Sequence, residues 1–390
     1  MLRTAIGFSV FGLFWGAWGA ILPAVRSGAG VSDAGLGVAL LMIGLGALVS
    51  MRFTGYLIDR YGAVVLPAVT VLFALCGVLP ALAGSAVTLS IALLLLGATS
   101  GAMDVAINAT GSQAESVAGR PVMNLAHGLF SVAVVVASLS TAALRATGAA
   151  ALPVLAGTAV VIIIAALTVL IPRGTSTTRP TETVKAVSEK PTRRKLGRLE
   201  GALLMFGVLC ALAYVVENAW QSWSAVHLDT SLHAAPGLAS SAPAVFAAAA
   251  ATGRFAGNAL LKRVRPVQLL VAGGCIAAVG SLIASLADQP WSALVGIGVA
   301  GLGTSVCAPT IIGMAGAWAG PERRAGAISV VTTIAYLGFL LGPAAVGAAA
   351  SLWTLPTALS AVAVLAVVVA ALAPVAARIA GPRATDVPTH

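Results

Sequence analysis

Charge is what this sequence has least of. Only 9% of its 390 residues are charged, with 12 acids in all, where a soluble domain carries about 25%. That shortage excludes a large water-soluble catalytic domain. Cysteine is scarce too: Cys76, Cys210, Cys275 and Cys307 each sit inside an apolar stretch, without CxxC spacing or neighbouring His or Asp. They read as small packing residues, and neither a disulfide framework nor a metal centre is expected. No glycine-rich, lysine-bearing phosphate loop occurs, which removes an ATP-driven pump, and no nucleophile constellation occurs, so an enzyme is not expected. No cofactor is called for.

What is present is apolar: 59% of residues are hydrophobic and 43 are glycine. Glycine lets helices pack closely where no hydrophobic drive acts between them. A bilayer helix needs about 20 mostly apolar residues, and such runs fall at 4–25, 35–58, 62–84, 86–110, 122–144, 150–171, 201–225, 236–260, 266–287, 290–315, 324–349 and 352–378. The first follows Arg3 but runs through Trp15 and Trp18 to Val25, too long for the apolar region of a secretory signal, and is read as a span. The pattern predicts an all-α membrane protein of twelve transmembrane helices in two six-helix pseudo-symmetric bundles, 1–171 and 201–380. A linker, 172–200, would join them on the cytoplasmic side, and 381–390 would form a cytoplasmic tail.

The basic residues orient this arrangement. With the N-terminus inside, 20 of the 22 Lys and Arg fall on the inner side, leaving Arg26 and Arg145 outside; cytoplasmic loops carry such an excess. The net charge of +10 is thereby a topological signal spread over short loops, and nucleic acid is not a partner. Lipid, a small solute and protons are the expected partners of a monomer in a bacterial inner membrane, both termini cytoplasmic.

The halves repeat one another. Arg52-Phe53-Thr54-Gly55 matches Arg254-Phe255-Ala256-Gly257 at an offset of 202 positions, which also places Trp18 on Trp220, Gly101 on Gly303 and Arg60 on Lys262. Two six-helix halves of one orientation are a transporter architecture with its solute site between them near the midplane.

A carboxylate within a span costs about 2.5–3.5 kcal/mol or more and marks a functional residue by default. Two qualify. Asp104 lies on the fourth helix, with Asn108, Gly111 and Glu115 on the same face; Glu217 lies on the seventh, with Gln221 and Ser224 at i+4 and i+7. The offset places Glu217 on Trp15 and Asp104 on Val306, so maintenance of a fold common to both halves needs neither acid. The other reading of each is a pairing with a neighbouring polar group or a lone Arg that locks helices together. Burial favours the protonated form of a carboxylate, as a proton carrier requires, so Glu217, Asp104 and, as a relay, His127 are the candidate proton-coupling residues. Trp15, Trp18, Asn108, Trp220, Gln221 and Ser224 are the candidate solute contacts, the rings for stacking on a sugar or drug face; an interfacial belt is the other reading of the tryptophans.

After the second helix the chain reads Gly55-Tyr56-Leu57-Ile58-Asp59-Arg60-Tyr61-Gly62. This loop resembles the signature of the major facilitator superfamily, although Ala63 and Val64 replace the usual basic pair. Phe14 to Trp18, Leu36 to Leu41, Met103 to Asn108, Trp223 to Val226 and Tyr336 to Pro343 are similar to its MosC/YbjJ-like branch, akin to fucose-permease-type transporters. The resemblance implies a proton-linked carrier of small organic solutes working by alternating access. It implies a conformational latch of Gly55, Asp59, Arg60 and Gly62 too, with Arg120 placed to orient Asp59 against the start of the eleventh span. Ser222 and Asn258 stand where the branch is expected to carry Asp. The fifth helix lacks the Gly/Pro pattern of drug/proton antiporters, since Ser131 to Leu144 contains neither residue. An excess of Arg over Lys and abundant alanine suggest a GC-rich genome, which leans the reading toward export of a metabolite or drug-like compound. Uptake of a sugar or cyclitol is the alternative, and a non-transporting membrane sensor the remote one.

Overall fold

The computed structural model describes residues 1–118, 122–170, 196–320 and 323–380. No strand occurs among them. The helices are α1 (Leu2–Ala29), α2 (Asp33–Tyr61), α3 (Val65–Val78), α4 (Ala86–Ala118), α5 (Met123–Ala146), α6 (Ala151–Ala165), α7 (Leu196–Thr230), α8 (Pro236–Leu260), α9 (Pro266–Ser285), α10 (Pro290–Thr304), α11 (Cys307–Ala319), α12 (Arg324–Leu352) and α13 (Leu355–Ala380). Ten stretches of the described chain are long and apolar enough to cross a membrane, and one, Asp33–Leu82, contains both α2 and α3. With alanine-rich α8, twelve passes result. The linker 172–195, the tail 381–390 and Arg120 lie outside the described residues.

Local chemistry sets the boundaries. Gly30 ends α1 with φ 62°, its N–H returning to Arg26 and Ser27, a left-handed geometry that glycine adopts without a Cβ penalty. Ser32 then caps α2 by accepting from the Gly35 amide at 3.2 Å, and Arg26 bonds Asp33 at 2.8 Å across the turn. The tenth pass is broken between α10 and α11. Pro309 lies in the first turn of α11, where its missing N–H is harmless but its ring excludes a continuous helix from the preceding turn.

Packing repeats with the sequence. In the first half α1 packs on α5, α2 on α4 and α3 on α6; in the second, α7 packs on α12, α8 on α10 and α9 on α13. Glycines let backbones touch within each half: a Cβ on Gly97 would strike the Ile43 carbonyl of α2, and one on Gly280 the Ala300 amide of α10. Across the halves, α2 meets α12 and α5 meets α8.

The helices alternate in direction, so the molecule has two ends, one rich in arginine (Arg60, Lys262, Arg263, Arg265, Arg323, Arg324) and one with only Arg26 and Arg145. Close approaches between halves lie toward the arginine-poor end: Gly37 against Pro343, Ala344 and Gly347, Gly237 against Ala142 and Ala146, Gly19 against Pro243. Toward the arginine-rich end Arg52, His127 and Arg254 are exposed, and a cleft opens there. Leu72, Ile91, Val136, Val161, Val279, Val295 and Val367 are exposed on the perimeter, an apolar girdle suited to lipid tails.

Candidate functional site

Glu217 lies on the middle stretch of α7 and is 6% exposed. Its Oε1 accepts from Gln221 Nε2 at 3.1 Å, one turn on, and from Arg254 Nη2 of α8 at 2.8 Å. The exposure is unequal: 8% for the carboxylate side chain and 47% for the arginine. A buried charge needs such a partner, because an unpaired one in low dielectric is costly. Tyr214 of α7, Cys210 of α7 and Cys307 of α11 are within electrostatic range of Glu217. Gln221 is exposed although it lies well inside the span, which puts this face of α7 on the cleft.

Asp104 stands on α4, half-buried. Asn108 Nδ2 donates to its Oδ1 at 3.1 Å and to its carbonyl at 2.8 Å. His127 of α5 and Tyr336 of α12 are within electrostatic range. His127 is exposed and meets the Phe8 ring edge-on at 4.7 Å. The structure thus brings Asp104, Asn108 and His127 together in the first half and Glu217 with Gln221 in the second.

The remaining expected contacts divide. Trp15 is partly buried, its ring meeting Phe11 and Phe14 edge-on. Trp18 is sealed in the core, stacked on Phe14 at 6.5 Å. Trp220 is fully buried and donates its Nε1 to Ser281 Oγ of α9 at 2.8 Å, turned away from Glu217. Ser224 is buried without a hydrogen-bond partner; it lies on the Glu217 face but two turns nearer the closed end. In this state Trp18, Trp220 and Ser224 therefore do not line the cleft, a correction to the reading from spacing alone. Glu115, on the face of Asp104, accepts from the Val122 and Met123 amides at 2.8 and 2.9 Å, so it ties α4 to α5 rather than lining a path.

At the signature loop, Gly62 stops α2 with φ 61° and Arg60 bonds the Tyr61 hydroxyl at 3.3 Å. Asp59 is exposed and makes no hydrogen bond or ion pair with another described residue, since the halves are apart at this end.

Residues 205–388 match the Major Facilitator Superfamily profile. The chain is 34% identical over 377 residues to an uncharacterised MFS-type transporter of Yersinia pestis, covering 95% of this chain and 94% of that protein. The chain belongs to the major facilitator superfamily. Membrane protein MosC of Rhizobium meliloti is 28% identical over 373 residues, 94% of this chain and 88% of MosC. Among solved structures, the nucleoside transporter NupG superposes with a TM-score of 0.78 at 14% identity, over 96% of this chain and 99% of that one. A D-xylose-proton symporter does so at 0.72 and 13%, over 95% and 96%. At these identities the structures share the fold. The protein is a multi-pass membrane transporter of this superfamily and not an enzyme.

Sequence reasoning missed Arg254, which it counted as a loop charge, and the tyrosines Tyr214 and Tyr336, which bring hydroxyls near the two acids. The signal for Arg254 was on the page: the Arg-Phe-x-Gly repeat sets an arginine inside the end of α8, as Arg52 lies inside the end of α2.

Proposed function

We propose that this transporter is a proton symporter of a small organic solute, working by alternating access between its two halves, 1–171 and 201–380. It would lie in a bacterial cytoplasmic membrane with the arginine-rich end inside. The observation that carries the reading is the Glu217–Arg254 pair, a buried carboxylate held by a half-exposed arginine on the cleft. Symport needs proton and solute to favour each other's binding. Protonating Glu217 releases Arg254 from its partner, and a released guanidinium is a donor set for solute. Asp104 with Asn108, on the opposite wall, adds further polar contact, and His127 offers a proton path from the open mouth.

This coupling favours uptake over the export to which composition leans, and direction has a clear test. Proteoliposomes in a weakly buffered medium are given sugars, nucleosides, organic acids and antibiotics in turn while external pH is followed. Alkalinisation on adding a solute supports symport, whereas acidification means antiport and restores the export reading. Glu217→Gln should abolish the proton movement and leave solute counterflow measurable. Proton movement at the wild-type rate in that variant removes Glu217 from the mechanism.

A further inference from the structure

We propose that Arg254 is the anchor for a carboxylate on the solute, so that the transported pair is one proton and one organic monoanion. This rests on the reading of Glu217 as the proton carrier.

The geometry of the pair is the starting point. Arg254 uses Nη2 on Glu217 Oε1 at 2.8 Å, and a guanidinium has five N–H donors in a planar fork. Its other donors have no acceptor among the described residues, and the side chain is 47% exposed while the carboxylate is 8% exposed. The free edge of the fork therefore faces the water of the cleft, in the orientation from which arginine takes a carboxylate through two parallel bonds.

The surrounding charges select the sign. Around Glu217, α8 contributes Arg254, α7 contributes Gln221, Tyr214 and Cys210, and α11 contributes Cys307. No second carboxylate is in this group. Asp104 has other neighbours, His127 and Tyr336. Once Glu217 takes a proton from water at the open mouth, Arg254 is the one fixed charge left there. A cationic solute is then repelled, and a neutral one leaves the guanidinium without a counter-ion. An anion replaces the charge that the proton removed.

The repeat adds a second observation. Arg52 occupies the matching position in α2, and the counterpart of Glu217 in α1 is Trp15. Arg52 is exposed and makes no ion pair among the described residues. The cleft thus carries two arginines at related positions and one carboxylate between them. With Glu217 ionised, that carboxylate occupies Arg254 and excludes the anion, which makes solute binding dependent on the proton.

Matched acids and amides test the proposal: lactate against lactamide, gluconate against gluconamide, and benzoate against benzamide. Binding to the purified full chain is read by thermal shift at pH 5.5 and pH 8. At pH 5.5 at least one carboxylate should raise Tm while its amide does not, with affinity falling at least tenfold at pH 8. Glu217→Gln should bind that carboxylate equally at both pH values. Glu217→Gln with Arg254→Gln removes both charges, keeps the fold and should lose the binding. Amides that bind as well as their acids, carboxylate binding that survives in the double variant, or no shift with any carboxylate overturns the proposal. Loss of proton movement in Glu217→Gln without any preference for acids overturns the anion assignment alone. Proton movement retained in that variant overturns the symport reading beneath it.

Discussion

Glu217 and Arg254 differ in how much each depends on the other. The acid is buried and cannot turn to water, whereas the arginine can. Arg254→Gln should therefore destabilise the protein by about 1–3 kcal/mol, the cost of a buried acceptor left without its donor. Adding Glu217→Gln should recover most of the loss, as read by melting in detergent at neutral pH; equal melting of the single and double variants would show that the pair is not a stability element. Why the sequence revealed the acid and hid its partner is physical. A carboxylate within an apolar run is conspicuous by cost alone. An arginine six residues from the end of α8 reads as a loop charge until α8 is laid against α7. The tryptophans show the reverse failure. Trp220 stands three residues from Glu217, but that step turns its ring toward α9 and Ser281. Ser224 keeps the right face and is covered because the halves are closed over it.

At the scale of helices, the corner between α4 and α5 depends on one side chain. Glu115 satisfies the first amides of α5, which have no partner within their own helix. Glu115→Ala should speed amide exchange at Val122 and Met123 and lower Tm, leaving solute affinity unchanged; a fall in affinity at unchanged exchange would put Glu115 in the transport path. The glycine seams make a stronger demand. Gly97→Val places side-chain atoms against the Ile43 backbone and should cost about 1–3 kcal/mol through overpacking, seen as a lower Tm. Helix number and most boundaries were legible because the apolar runs and turn residues coincide. The break between α10 and α11 was not, since the run 290–315 is apolar throughout and Pro309 falls where a new helix tolerates it.

For the whole molecule, the closed end carries charges from both halves. Asp229 of α7 lies within electrostatic range of Arg145 of α5 and Arg26 of α1, so the two arginines that break the charge asymmetry both face an acid of the other half. Asp229→Asn should loosen that end. A cysteine at Ser224 in a background without other cysteines should then react faster with an impermeant thiol reagent added from the arginine-poor side; an unchanged rate would mean that backbone packing alone holds the seam. Asp59, without a partner while the other end is open, should act when that end closes. Asp59→Asn should raise the population of the open form shown here, read as longer spin-label distances across the arginine-rich mouth, with intrinsic solute affinity unchanged. Contacts at one end and none at the other make the seam a fulcrum. Each half is stiffened by backbone-to-backbone glycine contacts, so each turns as a lever whose arm is the length of α2 or α12, 29 residues or about 43 Å at 1.5 Å per residue. A rotation of about 10°, modest for bodies that pivot on an interface, would carry the far ends through about 7 Å while the glycines at the seam barely move. Distance reporters placed at the mouth would register the cycle strongly, and the same reporters at the seam would be almost silent.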